Sequence, residues 1–148
     1  LVHDGFVLSE TVAINWYLAS SFPGTLLPAD RQAQARIQQW TSWALSDLEP
    51  HLVGIMREGR RPPGQIDATR VEAAHAEIHK LLETVLEPQL GRGEWLLPSG
   101  FTLADLNVAA VASSMQVFNV NLDRHPNVAG WLKRCFARPA FQRAQQRP

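Results

Sequence analysis

The sequence contains only one cysteine, Cys135, and this scarcity excludes a framework of disulfide bonds within the chain. A lone thiol fits a reducing compartment, so we expect a cytoplasmic protein. The spacing of Val128, Trp131, Leu132 and Cys135 places the thiol on the apolar face of a predicted helix. We therefore interpret Cys135 as a packing residue and not as a nucleophile, because buried thiols are usually inert.

Long apolar runs and an excess of charge are also missing. No stretch approaches the roughly 20 apolar residues that a membrane-spanning helix needs, so we expect no membrane partner. The 14 basic residues balance the 14 acidic ones, and this neutrality does not favour nucleic acid as a partner. His75 and His79 lie four residues apart on one predicted helix, but no further ligand completes a set, so we expect no bound metal.

The most strongly specified element of the sequence is a helix that starts near Thr102. Thr102 is a good N-cap, and Asp105, three residues later, can accept a hydrogen bond from the backbone N–H of the cap. Phe101 and Leu106 supply the matching hydrophobic staple. The helix that follows is apolar on nearly every side as far as Phe118, which predicts that it lies buried in the middle of a helical domain.

Shorter signals predict the other elements. Asp4-Gly5 predicts the turn of a β-hairpin over residues 1–8, and Ser9 is the predicted cap of a helix that ends near residue 20. Asp30 begins a long amphipathic helix in which Pro50 predicts a bend and not a stop. Asp67 caps the next helix. A further helix is predicted from residue 126 to about residue 137.

Three segments of the sequence resemble, in order and spacing, segments of glutathione S-transferases. Residues 101–109 resemble the capping-box segment of the core helix in the all-helical C-terminal domain of that family. Residues 8–18 are similar to the glutathione-binding strand-to-helix turn of the thioredoxin-like N-terminal domain, and residues 138–141 to the C-terminal ending of the family. The resemblance implies a mainly α fold, a helical bundle preceded by the terminal β-hairpin and helix of a truncated thioredoxin-like domain.

The same resemblance divides the chain. It implies that residues 1–22 are the C-terminal remnant of the glutathione-binding domain, that residues 23–29 are a linker, and that residues 30–148 form the all-helical domain. The chain is then expected to begin within the first domain. In the family, a Tyr, Ser or Cys near the protein's N-terminus acts on the glutathione sulfur, and no residue here matches it. We therefore assign no catalytic residue, and we expect this chain to be inactive alone.

Glutathione, as co-substrate, is placed by the resemblance at Glu10 and Thr11. A helix N-terminus attracts an anion, and a carboxylate and a hydroxyl beside it can bind an ammonium group, so one turn can hold both ends of an amino acid. The usual pair in the family is Glu-Ser, and Thr11 keeps the hydroxyl. The alternative interpretation is a helix start with an acidic residue and no ligand.

An apolar electrophile is expected to lie between the long helix that follows Asp30 and the end of the core helix. The candidate pocket residues are Trp43, Asp47, Glu49, Met115 and Phe118. Adaptable methionine and flat aromatic rings suit such a pocket, although core packing explains Met115 and Phe118 equally well. Tyr17 lies one to two turns into its helix, and we interpret it as a packing residue.

The resemblance implies conjugation of the glutathione thiolate to electrophilic small molecules by the intact protein, as in detoxification. It also implies a homodimer joined partly through the two long helices before the core helix, where Trp40 and Trp43 can serve either an interface or the core. Two alternatives use the same fold. One is a non-catalytic module for protein interaction or dimerisation, and the other is a glutathione-dependent reductase or dehalogenase.

Overall fold

The computed structural model describes residues 1–146 of the chain. It opens with an antiparallel β-hairpin of two short strands, β1 (Val2–His3) and β2 (Phe6–Val7). Asp4 and Gly5 form the turn with φ angles of 48° and 81°, the left-handed region that an Asp-Gly pair tolerates. The hairpin packs on the first helix, because the Tyr17 hydroxyl lies 2.7 Å from His3 Nδ1.

Nine α-helices follow within the described residues, and the predicted mainly α fold is confirmed. None of these helices combines the length and the apolar character that crossing a membrane requires. The helices are α1 (Thr11–Ser21), α2 (Arg31–Trp43), α3 (Glu49–Gly59), α4 (Ala68–Leu81), α5 (Glu87–Leu90), α6 (Leu103–Ala112), α7 (Ser114–Val117), α8 (Pro126–Phe136) and α9 (Pro139–Gln145).

Two prolines are accommodated inside long helices by π-helical turns. Helices α2 and α3 are continuous through the π turn Ala44–Leu48, where the Glu49 N–H donates to the carbonyl of Ala44, five residues earlier. Pro50 has no N–H to donate, and the wider turn before it accommodates the missing hydrogen bond. The helix therefore continues as predicted. The same arrangement at Leu82–Leu86 precedes Pro88 and was not predicted.

The hydrophobic core is centred on α6. Ala104, Val108 and Ala112 are buried along this helix, and Trp131 of α8 is completely buried beside it. Helices α2 and α8 pack against α6, and the burial confirms the prediction of a central helix. Its predicted continuation to Phe118 was wrong in one respect. The helix is interrupted at Ser113, whose Oγ donates to the carbonyl of Ala110 at 2.7 Å, and α7 follows as a separate turn.

Residues 22–30 between α1 and α2 contain neither helix nor strand. This segment contacts the core, because the Leu26 carbonyl accepts a hydrogen bond from the Leu103 N–H at 2.9 Å. Helix α1 packs against α6 and has no fully buried residue of its own. The predicted division of the chain into residues 1–22 and 30–148 stays a prediction.

Candidate functional site

A cleft of about 1130 Å³ separates α1 from the wall formed by α2, α3 and the C-terminal end of α6. Its α1 side begins at Glu10 and Thr11 and continues through Trp16 and Ser20. Its opposite side is mainly apolar. The volume of the cleft is just above the range of about 300–1,000 Å³ that is usual for small-molecule sites, so it can admit a small molecule.

The start of α1 leaves its backbone donors open to the cleft. Ser9, the predicted cap, does not cap the helix. Glu10 occupies the N-cap position with φ 68° and ψ 121°, and no side chain accepts a hydrogen bond from the first turn. The N–H groups of Thr11, Val12 and Ala13 have no intrahelical partner, and all three residues line the cleft. Three donors at the positive end of a helix thus belong to residues that border the cleft.

Glu10 adds a carboxylate and a strained backbone to this turn. A positive φ at a residue other than Gly, Asn or Asp costs about 1–3 kcal/mol and is concentrated at ligand-binding and catalytic sites. Within the described residues, Glu10 forms no ion pair shorter than 4.0 Å. The turn therefore presents N–H donors and the Thr11 hydroxyl for an anion beside a carboxylate for a cation, a combination that fits a zwitterionic amino-acid group.

A polar bridge that the sequence analysis did not predict joins α1 to the helical core. Asn15 Nδ2 donates to Asn107 Oδ1 at 2.9 Å, and Asn107 Nδ2 donates to Thr41 Oγ1 at 3.0 Å. Asn107 and Thr41 are buried, and all three side chains line the cleft. No other side-chain hydrogen bond of the described residues connects residues 1–21 with the rest. The available signal was an asparagine within an otherwise apolar helix.

Two of the five predicted pocket residues, Glu49 and Phe118, line the cleft. The other three lie elsewhere. Met115 is fully buried in the core, and Trp43 packs edge-on against Trp40 with ring centroids 5.6 Å apart. Asp47 is exposed and accepts a hydrogen bond from Ser46 at 2.8 Å. The π turn Ala44–Leu48 contains Asp47 and precedes Glu49, and its wider spacing shifts the helical phase of the residues that follow Trp43.

The predicted capping box at the start of α6 forms and is buried. Thr102 Oγ1 accepts from the Ala104 N–H at 3.2 Å, and Asp105 Oδ2 accepts from the Thr102 N–H at 3.0 Å. The other carboxylate oxygen of Asp105 accepts from the Leu96 N–H at 3.0 Å and from Trp131 Nε1 at 2.9 Å. The latter two partners were not predicted. They make Asp105 the junction of three chain segments.

Cys135 lies beside this junction and is 5% exposed. Burial, and secondarily the charge of Asp105, raises the pKa of the thiol to about 12, so the neutral thiol persists at physiological pH. The packing interpretation of Cys135 agrees with this environment. A thiolate nucleophile requires a lowered pKa, and burial has the opposite effect here.

Two of the five histidines, His79 and His125, form a pair outside the lining of the cleft. His79 Nδ1 lies 3.0 Å from His125 Nε2, and their rings are stacked. Burial, followed by the neighbouring His125, His75 and Arg124, lowers the pKa of His79 below its ordinary 6.5. Within residues 1–146, no three His, Cys, Asp or Glu side chains are grouped so that they could hold a metal ion.

The geometry defines an all-helical domain with an open helix start facing a mainly apolar cleft, and comparisons with known proteins identify its family. Residues 47–139 match the model of the glutathione S-transferase C-terminal domain. The chain is 35% identical over 140 residues to the glutathione S-transferase-like protein LUC7 of Fusarium, covering 88% of this chain and 61% of that protein. It is 34% identical to glutathione S-transferase 3 of Zea mays, covering 97% of this chain and 68% of that protein.

A solved structure agrees with the sequence comparisons. A glutathione transferase from Burkholderia graminis, with two glutathione molecules bound per subunit, superposes with a TM-score of 0.85 at 27% identity, over 98% of this chain and 63% of that one. The chain belongs to the glutathione S-transferase family. It spans 61% and 62% of the length of the first two curated relatives, so the activity of a whole protein remains a proposal.

Proposed function

We propose that the intact protein is a glutathione S-transferase that conjugates the glutathione thiolate to apolar electrophiles, with glutathione as co-substrate and no metal. Glu10 and Thr11 bind the γ-glutamyl end, in which a carboxylate and an ammonium group share one carbon. The cleft beyond them receives the electrophile. Catalysis then consists of bringing the thiolate and the electrophile together and lowering the pKa of the thiol.

The observation that carries this proposal is the open start of α1. Glu10, Thr11, Val12 and Ala13 lie at one edge of the cleft, and within residues 1–146 the last three have backbone N–H groups without acceptors and the Glu10 carboxylate has no ion-pair partner. The N–H groups and the Thr11 hydroxyl suit the carboxylate of the γ-glutamyl group, and Glu10 suits its ammonium group. The Burkholderia structure with bound glutathione supports the same class of ligand.

Retention of the 148-residue chain on immobilised glutathione tests the binding step. We expect the chain to be retained and the double variant Glu10→Gln/Thr11→Val to be lost, because the variant removes both polar side chains of the turn. The control variant Glu72→Gln/Thr84→Val makes the same chemical changes at two exposed positions, one in α4 and one in the π turn that follows it. We expect this variant to be retained. Equal retention of both variants would overturn the assignment of Glu10 and Thr11.

Conjugation of glutathione to 1-chloro-2,4-dinitrobenzene tests the chemical step. We expect the 148-residue chain to conjugate no faster than the spontaneous rate, because the family resemblance assigns the sulfur-activating role to none of its residues. The same assay on a longer protein containing this chain is expected to show turnover. Absence of both binding and turnover in that protein would favour the alternative, a non-catalytic interaction module on the same fold.

The proposal includes a cytoplasmic homodimer. Trp40 and Trp43 are partly buried and pack against the core of their own chain. Only the part of each side chain that stays exposed is therefore free to contact a second subunit. Sedimentation of the chain at micromolar concentration checks the dimer, and a strict monomer would count against it for residues 1–148.

A further inference from the structure

The cleft carries an unbalanced charge. Among residues 1–146, those that line the cleft include only two charged side chains, Glu10 and Glu49, and both are acidic; no Lys, Arg or His of these residues lines it. The imbalance is local, since the whole chain contains 14 basic and 14 acidic residues. Away from the start of α1, whose N–H groups can accept an anion, an anionic group on the apolar wall therefore meets the like charge of Glu49 and no basic side chain of residues 1–146.

Glu49 lies in the first turn of α3, on the wall opposite α1. It is half-buried, and within residues 1–146 its carboxylate has no ion-pair partner within 4.0 Å and no side-chain hydrogen bond. Its neighbours one helical turn away, Leu45, Leu52 and Val53, are apolar and line the same cleft. A carboxylate flanked by apolar surface interacts with a nearby charge more strongly than one surrounded by water.

Aromatic rings reinforce the same preference. Phe6, Trp16 and Tyr17 lie on the α1 side of the cleft, and Phe118 lies on the other side. The face of an aromatic ring attracts a cation and repels an anion, by an amount that grows when the cation loses water. Carboxylates and aromatic faces thus favour the same ligand, an apolar body with a positive charge.

We propose that the cleft selects apolar electrophiles that carry a cationic group, placed against Glu49, and discriminates against those that carry a carboxylate. The inference rests on the proposed function in one respect. Glu10 is assigned to the ammonium group of glutathione, which leaves Glu49 as the charge that the second ligand meets. Glu49 is accordingly a specificity-determining residue of the apolar wall.

The test uses three fluorescent probes that share one apolar ring system and differ in charge. They are dansylamidoethyl-trimethylammonium, which is cationic, dansylamide, which is neutral, and dansylglycine, which is anionic. Each is titrated into the 148-residue chain at low ionic strength without glutathione. We expect the cationic probe to bind at least about tenfold more tightly than the anionic one, with the neutral probe between them.

The Glu49→Gln variant separates the local carboxylate from the rest of the molecule. We expect this variant to bind the cationic probe about three- to tenfold more weakly, the neutral probe with unchanged affinity and the anionic probe more tightly. Glu72→Gln makes the same change in net charge at an exposed position of α4, and we expect it to leave all three affinities unchanged. Raising the salt concentration should narrow the preference of the unaltered chain.

Anionic and cationic probes that bind equally well would overturn the proposal, as would a preference that Glu49→Gln does not change. The outcome is independent of retention on immobilised glutathione. A chain that prefers cations through Glu49 but does not bind glutathione contradicts the proposed function alone. A chain that binds glutathione but shows no charge preference contradicts this inference alone.

Discussion

The starts of helices α6 and α1 differ in how their first backbone N–H groups are satisfied. Every helix begins with N–H groups that have no partner inside the helix. At α6, Leu103 donates to the Leu26 carbonyl, Ala104 donates to Thr102, and the buried box closes the turn. At α1 no side chain caps the first turn, and the donors face a cleft.

The proposed binding role belongs to the helix start whose N–H donors are left open. The α6 start satisfies its own donors and is sealed by apolar residues, as Phe101 packs against Trp95 and lies under the guanidinium of Arg138 at 3.8 Å. Within residues 1–146, the α1 start has no side-chain cap, and it combines free backbone donors, the Glu10 carboxylate and a strained φ at Glu10. Strain of this kind is concentrated at binding and catalytic sites, which agrees with the ligand proposed for this turn.

The largest effect is expected from Asp105→Ala. This change leaves the Leu96 N–H and Trp131 Nε1 buried without an acceptor and removes the return bond to Thr102. Each unsatisfied buried donor costs about 1–3 kcal/mol, so we expect a loss of about 3–5 kcal/mol in the free energy of unfolding. Urea denaturation measures it. The control Asp47→Ala, at an exposed position, should change stability by less than about 0.5 kcal/mol.

A smaller effect is expected from Asn107→Leu, which removes the bridge between the two regions. The change abolishes the hydrogen bonds to Asn15 and Thr41, and we expect a loss of about 1–3 kcal/mol. Hydrogen exchange should show faster exchange of the α1 amides relative to those of α3. Asn107→Asp keeps an acceptor for Asn15 and should restore part of the protection of α1. Unchanged exchange in α1 would show that packing alone holds this helix.

Paired alanine substitutions at the two N-cap positions compare the helix starts directly. Thr102→Ala removes a buried cap and should reduce the free energy of unfolding by about 0.5–2 kcal/mol. Glu10→Ala removes a side chain that caps nothing and should change stability by less than about 0.5 kcal/mol while weakening retention on immobilised glutathione. Thermal unfolding measures both, and a destabilisation by Glu10→Ala equal to that by Thr102→Ala would contradict the contrast.

The smallest change in stability at neutral pH is expected from substitution of Cys135, which is buried near Asp105 at the start of α6. Its thiol should react slowly with a disulfide reagent at pH 8 in the native chain and rapidly after unfolding. The unfolded thiol loses its proton near its ordinary pKa of 9.0 and the folded one near 12, so its contribution to stability is lost as the pH rises between these values. Cys135→Ala should show a shallower decline of stability over that range.

Most predictions from short-range patterns agree with the structure, although Ser9 does not cap α1. The hairpin turn at Asp4-Gly5, the capping box of Thr102 and Asp105, and the continuation of the helix through Pro50 depend on neighbours within a few residues. The candidate site residues stay predictions. Trp43 and Met115 do not line the cleft, because Trp43 packs against Trp40 and Met115 is buried in the core.

The sequence by itself determined the helical pattern, the closed start of α6 and the resemblance at residues 8–18, since each depends on residue types at fixed short spacing. Only the tertiary structure decided that Asp105 also accepts hydrogen bonds from Trp131 and Leu96, and that Asn107 joins α1 to α2. The physical reason is the distance along the chain. Asn15 and Asn107 are 92 residues apart, and no local pattern records a contact that packing alone creates.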